Sequence, residues 1–589
     1  MEKPSHGSVS GGQGERKSSL PLSAMKGARI MALGNLRHGA GAATLASRIA
    51  GAIRIPTAST YLPLVLLCLS LLVYKVTHRS LYEVGHHGSD IEAFGLVAFS
   101  CGLACLFAAI PYAAVPWLLR VILRGIGAFI LVQVLFDAFG AVAPPPNVLF
   151  GVDVPHVLFF RYAALLAVVA GAAGLWRPVF VLPLMFYYTL FRIRIGAIDG
   201  VEIVETDYLS LLDTGSFAAE GALLTILVTS DWASQRFHWL RSALGDIDRL
   251  QLRDTTAGLI WAVLVGGHLG NYFYSAISKL QAGGPAPWTW LLSNPTQTAI
   301  VIGLDRGDNP LATYPWLVQL TWDAIRDNAL VFNTFVLGVQ LLSIVACIRV
   351  RTLAIVCLLF DVFHVGVYLT LGAMFHFWIV MNLIIYASAL RLREKEFTLL
   401  MKVCCVAATL FGSFFFYTNY LGWLDSGKLV STNFVAVTRD GRQVPVPAGY
   451  FGIYSYSIAQ SKMYIPDNGF RRRIGGNNLN LGEWRDAISC GPEILSHQDS
   501  DVSLDQVLGF MRKTHIFMKD HPFIKENNLY YFYPQHMLPN PFVFTEFNRL
   551  KIDDIVAYKY VVDSVCLSLD NGKLVRDVRK RDEYEVHVE

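Results

Sequence analysis

The sequence has few charged residues for its length. Asp, Glu, Lys and Arg make up 16% of the 589 residues, while hydrophobic residues make up 53% and the mean hydropathy is +0.42. A soluble globular domain carries roughly 25% charged residues, and the apolar residues here come in long runs. The composition therefore excludes an ordinary soluble protein and predicts a polytopic membrane protein.

Motifs of several function classes are missing from the sequence. It has no zinc-type spacing of Cys and His, no phosphate-binding glycine loop and no nucleophile elbow. The missing zinc-type spacing predicts no metal. Basic residues are spread over several loops, so no nucleic-acid partner is expected. No Asn-x-Ser/Thr sequon has a permitted middle residue, which favours a bacterial cytoplasmic membrane over a eukaryotic secretory one.

Long apolar runs are the main feature that is present. Windows of about 20 residues, the length that crosses a bilayer, predict an all-α membrane bundle of about 11 transmembrane helices. We expect three parts: a tail (1–58), a helical membrane domain (59–420) and an extracytoplasmic domain (421–589). The predicted spans are 59–76, 93–113, 121–141, 157–176, 178–192, 216–230, 257–279, 328–348, 352–373, 374–390 and 402–420.

Charge asymmetry predicts the orientation of these spans. The first 58 residues carry eight basic side chains against two acidic ones, and the positive-inside rule then places the N-terminus in the cytoplasm. An odd number of spans leaves the C-terminus outside. No cleavable signal sequence is evident, and the basic, Gly/Ser-rich start is expected to be a disordered cytoplasmic tail.

The composition changes at about residue 421, where apolar spans give way to polar sequence. Two β-rich runs flank Asp440-Gly441, a strong hairpin signal, and two more flank Asn571-Gly572. With a capped helix expected from Ser503, these runs predict a small α+β or β-rich extracytoplasmic domain. Cys490 and Cys566 lie in this domain, where an oxidising compartment would permit a single disulfide.

Lys279 ends a long apolar stretch and is the most informative single residue. An ammonium group at membrane depth is costly. Lys279 is therefore either an anchor that snorkels to the interface beside Trp288 and Trp290, or a buried lysine that serves as a base. The spacing alone leaves both interpretations open.

Three histidines fall near Lys279 in the predicted bundle. His364 lies inside a span, His376 starts the next span, and His268 lies about three helical turns before Lys279. Together they form a candidate proton-handling pocket, although a structural, hydrogen-bonded histidine remains the alternative for His364. Asp361 is one turn from His364 but on another face, so the sequence leaves their pairing open.

Three stretches carry short motifs that are shared with one membrane family. The run Tyr272–Leu280 precedes a tryptophan, the run Leu341–Arg351 precedes Phe363-His364 and a Met-Phe pair, and a Tyr-Leu pair lies at 208–209. Together they resemble the HTTM membrane family, which includes the vitamin K-dependent gamma-carboxylase. The resemblance covers about residues 205 to 450.

The resemblance implies an enzyme that uses a reduced quinone, with O2 and CO2 as co-substrates, on an extracytoplasmic protein or small molecule. It implies Lys279 as the base and His364 as the residue that orients or stabilises it. We expect His268, Tyr274 and His376 to line the pocket, with membrane lipids as further partners. The alternative is a non-catalytic maturation, immunity or transport factor that binds through its extracytoplasmic domain.

Overall fold

The computed structural model describes most of the predicted bundle and much of the C-terminal region. The described residues are 58–139, 158–197, 206–231, 235, 247–282, 286–421, 425–451, 490, 503–520, 522–532 and 537–588. Apart from Ala58, the predicted N-terminal tail lies outside them. Contacts divide the chain at Thr60, and the features below belong to the unit Tyr61–Glu589.

The N-terminal half of the bundle contains seven helices among the described residues. Their bounds are α1 Ala58–His87, α2 Asp90–Leu106, α3 Trp117–Phe139, α4 Ala164–Gly174, α5 Val181–Ala197, α6 Thr206–Thr229 and α7 Arg249–Ala282. A π-helical turn, Leu158–Ala163, precedes α4. Helix α2 begins with a capping box in which Ser89 and Glu92 satisfy each other's backbone amides.

Seven more helices complete the described part of the bundle. They are α8 Thr289–Ser293, α9 Thr298–Asp305, α10 Pro315–Asp327, α11 Ala329–Ala346, α12 Val350–Leu371, α13 His376–Ala389 and α14 Leu399–Phe411. Helix α12 ends at Gly372, where φ is +79° and an added Cβ would lie 2.3 Å from the Asp308 carbonyl oxygen. Only glycine fits this tight turn into α13.

The predicted helical fold is confirmed in its coarse form. Five of the described helices are long and apolar enough to cross a membrane, and three further apolar helices are shorter. The five are Tyr61–His87, Trp117–Phe136, Leu211–Thr229, Ala329–Ala346 and Val350–Leu371.

Helix α7 is the centre of the bundle. It spans 34 residues, and every residue from Thr256 to Tyr272 is buried, as expected for a helix that is surrounded by others. It packs against α6, α11 and α14. Gly266 lets α14 approach closely, since an added Cβ would lie 2.2 Å from the Cys405 carbonyl oxygen.

The C-terminal region (residues 425–588) is built on one antiparallel sheet. The strands are β1 Lys428–Thr438, β2 Gln443–Val446, β3 Ile555–Asp570 and β4 Lys573–His587, in the order β2-β1-β3-β4. Phe434 lies opposite both Val446 and Tyr560. Both hairpins predicted from Asp-Gly and Asn-Gly are present, with positive φ at Gly441, Asn571 and Gly572.

Four α-helices of this region accompany the sheet among the described residues. They are α15 Ala448–Phe451, α16 Leu504–Asp520, α17 Pro522–Glu526 and α18 Thr545–Arg549. The predicted helix from Ser503 is α16, and its first turn is capped by reciprocal bonds between Ser503 and Gln506. Cys490 and Cys566 form a disulfide with a Cα–Cα distance of 6.0 Å.

Candidate functional site

One face of α7 holds an irregular segment that follows α14. We call residues 416–421 the strap. Asn271, Ser275 and Lys279 are spaced four residues apart on α7, which places them on one face. Asn271 Oδ1 accepts from the Asn419 amide at 2.8 Å, and Ser275 Oγ accepts from the Leu421 amide at 3.2 Å.

Four residues of α7 and two residues of the strap cover similar distances along the helix axis. Four helical residues rise about 6 Å, and two residues of an extended chain advance about 6.6 Å. Alternate strap residues therefore meet successive side chains of α7. The strap continues in the other direction to α6, where the Tyr417 amide donates to Asp213 Oδ2 at 2.7 Å.

Lys279 is buried at the end of this row. Its side chain is 4% exposed. Nζ donates to the Leu421 carbonyl oxygen at 2.5 Å and to the Ser275 carbonyl oxygen at 3.5 Å, and it lies 5.8 Å from the Trp290 ring centroid. The burial does not match a side chain that snorkels into water. Trp288, the other expected belt residue, is 60% exposed.

Lys279 lines an apolar cavity of about 280 Å³. The cavity lies between α7, α11 and α12 and is closed on one side by α8 and α9. Its aromatic lining comprises Tyr272, Trp290, Phe332, Phe335, Phe363, Phe375 and Trp378, and its polar lining includes Lys279, Thr296, Gln340, His364 and Asp425.

Three buried polar atoms on the cavity wall make no hydrogen bond to any described residue. They are His364 Nδ1, Gln340 Oε1 and Trp378 Nε1. His364 and Gln340 are each 3% exposed and Trp378 is 4% exposed. A buried polar atom without a partner is costly, so the cavity is suited to a ligand that is mostly apolar but has polar groups at its edge.

A chain of hydrogen bonds leads from the cavity into the bundle. His364 Nε2 lies 2.9 Å from the Tyr272 hydroxyl, which accepts from Asn382 Nδ2 at 2.9 Å. Asn382 Oδ1 lies 2.9 Å from His268 Nε2. Asn382 Nδ2 also donates to Asp361 Oδ1 at 2.8 Å, so Asp361 is linked to His364 through Asn382 and Tyr272.

The other expected pocket residues lie apart from the cavity. The Tyr274 hydroxyl donates to the Leu410 carbonyl oxygen at 2.5 Å. Two residues on a helix point about 200° apart, so Tyr272 faces the cavity and Tyr274 faces α14. His376 packs against Phe129 and Phe377 on the α3 side. His268 lies behind Tyr272 and reaches it through Asn382.

Reasoning from the sequence missed Asn382 and Gln340. Each is an amide inside a strongly apolar helix, a signal for a residue that faces the bundle interior. Asp425 was missed because it follows the last span. Asp425 and Asn294 exchange two hydrogen bonds of 2.9 Å, which tie the start of the C-terminal region to the cavity wall.

The cavity opens toward the outer surface of α11 and α12. Phe332 and Phe335 on α11 are 36% and 38% exposed, and Val362 on α12 is 60% exposed, yet all three also line the cavity. Both helices expose mainly apolar side chains on this side, as helices that face lipid do.

A second, polar cleft of about 300 Å³ lies at the other end of α9. Ala299 at the start of α9 lines the apolar cavity, while Asp305 at its end lines the cleft together with Arg576 and Arg581 of β4. The two spaces are thus about 9 Å apart along one short helix.

Known proteins provide no match to this arrangement. No family model, no curated protein and no solved structure matches the chain. Within the described residues, no group of three or more His, Cys, Asp and Glu side chains is placed to hold a metal ion.

Proposed function

We propose that the chain is an integral membrane enzyme that resembles the HTTM family and binds a reduced quinone in the apolar cavity, with Lys279 as the base. The observation that carries the proposal is the position of Lys279: a buried amine on the wall of an apolar, aromatic cavity, beside the bonded pair His364 and Tyr272.

The cavity lining suits a flat, lipophilic ligand with polar groups at its edge. Aromatic side chains provide faces for ring stacking, and Lys279, Gln340 and His364 provide polar contacts. A reduced quinone, when bound, supplies a hydroxyl proton and the electrons that oxygen accepts. The open side between α11 and α12 admits such a molecule directly from the bilayer.

The protein's own groups orient the amine. A neutral amine has N–H donors for the neighbouring carbonyl oxygens and a lone pair that accepts a proton. The Ser275 and Leu421 carbonyl oxygens fix the position of Nζ. Tyr272 stacks on Phe360 at 3.5 Å between ring centroids and holds the His364 ring through its hydroxyl.

The finer features of the proposal come from the hydropathy and charge pattern of the sequence and from the resemblance. The bundle has about 11 spans, its N-terminus is cytoplasmic, and its C-terminal region faces the outside of a bacterial cytoplasmic membrane. O2 and CO2 are the co-substrates. The extracytoplasmic substrate, a protein or a small molecule, binds by its polar groups in the cleft at the far end of α9.

Two substitutions at Lys279 test the role of the base. Arginine keeps a cationic donor for the strap but stays protonated at any relevant pH, and methionine loses both properties. We expect Lys279→Arg to fold and to retain co-purifying quinone while losing turnover at least about a hundredfold. Lys279→Met should lose turnover and also stability. Mass spectrometry of extracted quinones, an oxygen-uptake assay and thermal unfolding provide the three readouts.

The matched control is Lys525, a second buried lysine that donates to two carbonyl oxygens but lies in the C-terminal region. Lys525→Arg should leave quinone content and turnover unchanged. Full turnover in Lys279→Arg would show that Lys279 is not the base. Purified protein that carries no quinone would show that the cavity does not bind one.

One observation favours a second candidate function. The bond from Lys279 to the Leu421 carbonyl oxygen gives this lysine a structural role in holding the strap, whether or not it is a base. The histidine that precedes the Tyr-Leu pair in the carboxylase is also replaced here by Thr206 or Asp207. A non-catalytic factor that binds partners through its polar cleft would show wild-type behaviour in Lys279→Arg and no oxygen uptake.

A further inference from the structure

Helix α6 carries two acidic residues inside the bundle. Asp213 and Glu220 are seven residues apart, which places them on one helical face about 10 Å apart. The segment Leu211–Thr229 is the most buried of the five candidate spans, and the two side chains are 2% and 6% exposed. A carboxyl group at such a depth is costly and points to a function.

Asp213 has a full set of neighbours. Its Oδ1 lies 3.2 Å from His78 Nδ1, and its Oδ2 accepts from the Tyr417 amide of the strap at 2.7 Å. The Tyr74 hydroxyl and Lys75, both on α1, also lie beside it. These contacts explain why Asp213 is buried: it joins α1, α6 and the strap.

The described contacts do not explain the burial of Glu220 in the same way. Neither of its carboxylate oxygens makes a hydrogen bond of ordinary geometry to a described residue. Thr77 on α1 is a neighbouring hydroxyl, and the residue after Glu220, Gly221, packs against Ser70 of α1 and Ile260 of α7. Glu220 is the tenth residue of the candidate span, so it lies near mid-depth.

Tyr74 lies near the two carboxyl groups, and its hydroxyl makes no hydrogen bond of ordinary geometry to a described residue. It is fully buried and close enough to interact with both Asp213 and Glu220. Its ring is 5.5 Å from that of His78, measured between centroids. His78, Asp213, Tyr74 and Glu220 therefore form a row of groups that can each give and accept a proton.

The row begins in a part of α1 where charged side chains are exposed. His78 is 24% exposed, and the charged residues Arg79 and Glu83 that follow it are exposed. This is the end of α1 that faces the strap, which leads on to β1. The entry is therefore on the side of the bundle that carries the C-terminal region.

We propose that Glu220 is a reversible proton-binding site inside the bundle, loaded from the side of the C-terminal region through His78, Asp213 and Tyr74. On loading, the Glu220 carboxylate gains one proton and becomes a neutral carboxyl group. The proton comes from His78, which regains one from water. The site is separate from the cavity around Lys279, and the inference holds whether or not the cavity binds a quinone.

Infrared difference spectroscopy on the full-length protein in lipid nanodiscs tests the site. A protonated carboxyl group has a carbonyl band that titrates with pH and shifts on exchange into heavy water. We expect one such band to disappear in Glu220→Gln and to remain in Asp361→Asn, which removes the other acid of the bundle's hydrogen-bond chain. If no titrating band depends on Glu220, the site is overturned.

The proton path is tested by the rate at which the Glu220 carboxyl proton exchanges with heavy water, which is followed through the shift of that band. His78→Gln and Tyr74→Phe should each slow the exchange on the order of tenfold or more, while His86→Gln, eight residues further along α1, should not. Tyr74→Phe keeps the ring packing, so a folding defect is not expected to mimic the effect. Unchanged exchange in both variants would overturn the path.

Discussion

At the scale of single residues, two buried lysines show what burial alone does. Lys279 and Lys525 each donate to two carbonyl oxygens and lie over an aromatic ring. Burial lowers the pKa of Lys525 to about 8. Lys525 packs inside the C-terminal region and supports the end of α18, whereas Lys279 lines a cavity. The cavity, rather than the burial, is what distinguishes a candidate base.

His515 makes the stability of the C-terminal region depend on pH. It is 1% exposed, and its Nδ1 lies 3.1 Å from the Tyr558 hydroxyl. Burial, with a smaller effect from Lys519, lowers the pKa of His515 to about 4. The unfolded chain, with a histidine pKa of about 6.5, then binds more protons than the folded one between pH 6.5 and 4, so stability falls as the pH falls through this window.

We expect acidification from pH 6.5 to pH 4 to cost the C-terminal region up to about 3 kcal/mol through this group. His515→Gln should flatten the dependence in thermal unfolding measured across the window. His587→Gln serves as the control because His587 is 77% exposed. Equal pH dependence in wild type and His515→Gln would show that other groups dominate.

At the scale of elements, the register between α7 and the strap decides where Lys279 lies. Three side chains at a spacing of four hold two strap residues: Asn271 bonds to Asn419, while Ser275 and Lys279 both bond to Leu421. A shift of the strap by one residue would move the Asn419 and Leu421 amides away from their acceptors on α7. The register is therefore set along the whole row rather than by Lys279 alone.

Asn271→Leu tests this register. The change keeps the side-chain size but leaves the buried Asn419 amide without an acceptor, which costs about 1–3 kcal/mol. We expect a lower unfolding temperature and faster proteolysis within the strap. Thr256→Val is the matched control, because among the described residues the Thr256 hydroxyl bonds only to the Leu252 carbonyl oxygen within α7. Equal protease sensitivity of the two variants would contradict the register argument.

The sequence predicted local features well and helix phase poorly. Asp440-Gly441 and Asn571-Gly572 fixed both hairpins because turn chemistry is local. The sixth span was expected to start at 216, but α6 starts at Thr206. Asp213 and Glu220 lower the hydropathy there while facing inward. Tyr274 was expected in the pocket, where Tyr272 lies instead, because the rotation of α7 depends on its neighbours in space.

At the scale of the whole molecule, one arginine joins the bundle to the sheet. Arg576 Nε lies 2.7 Å from Asp305 Oδ1 at the end of α9, and its Nη2 lies 2.8 Å from Asp563 Oδ2 on β3. Arg581 forms two further bonds with Asp563. Both carboxylates are almost fully buried, so this network fixes the sheet against the end of α9.

Arg576→Met should destabilise this junction by about 3 kcal/mol, because it removes a positive charge from the buried Asp305 and Asp563 carboxylates. We expect the C-terminal region to unfold at a lower temperature than the helices, as two transitions in calorimetry. Arg579→Met, on the same strand but 48% exposed, should have little effect. Adding Asp305→Asn to Arg576→Met should recover part of the loss, and additive losses would argue against the coupling.

The side on which the apolar cavity opens also determines how the proposed ligand should be titrated. A molecule that enters between α11 and α12 is dissolved in the bilayer, so its relevant concentration is a mole fraction in lipid rather than a molarity in buffer. Extra detergent or lipid then dilutes the ligand at constant total amount. Apparent affinity should therefore fall in proportion to the volume of the apolar phase, and values from different micelles become comparable only after correction for it.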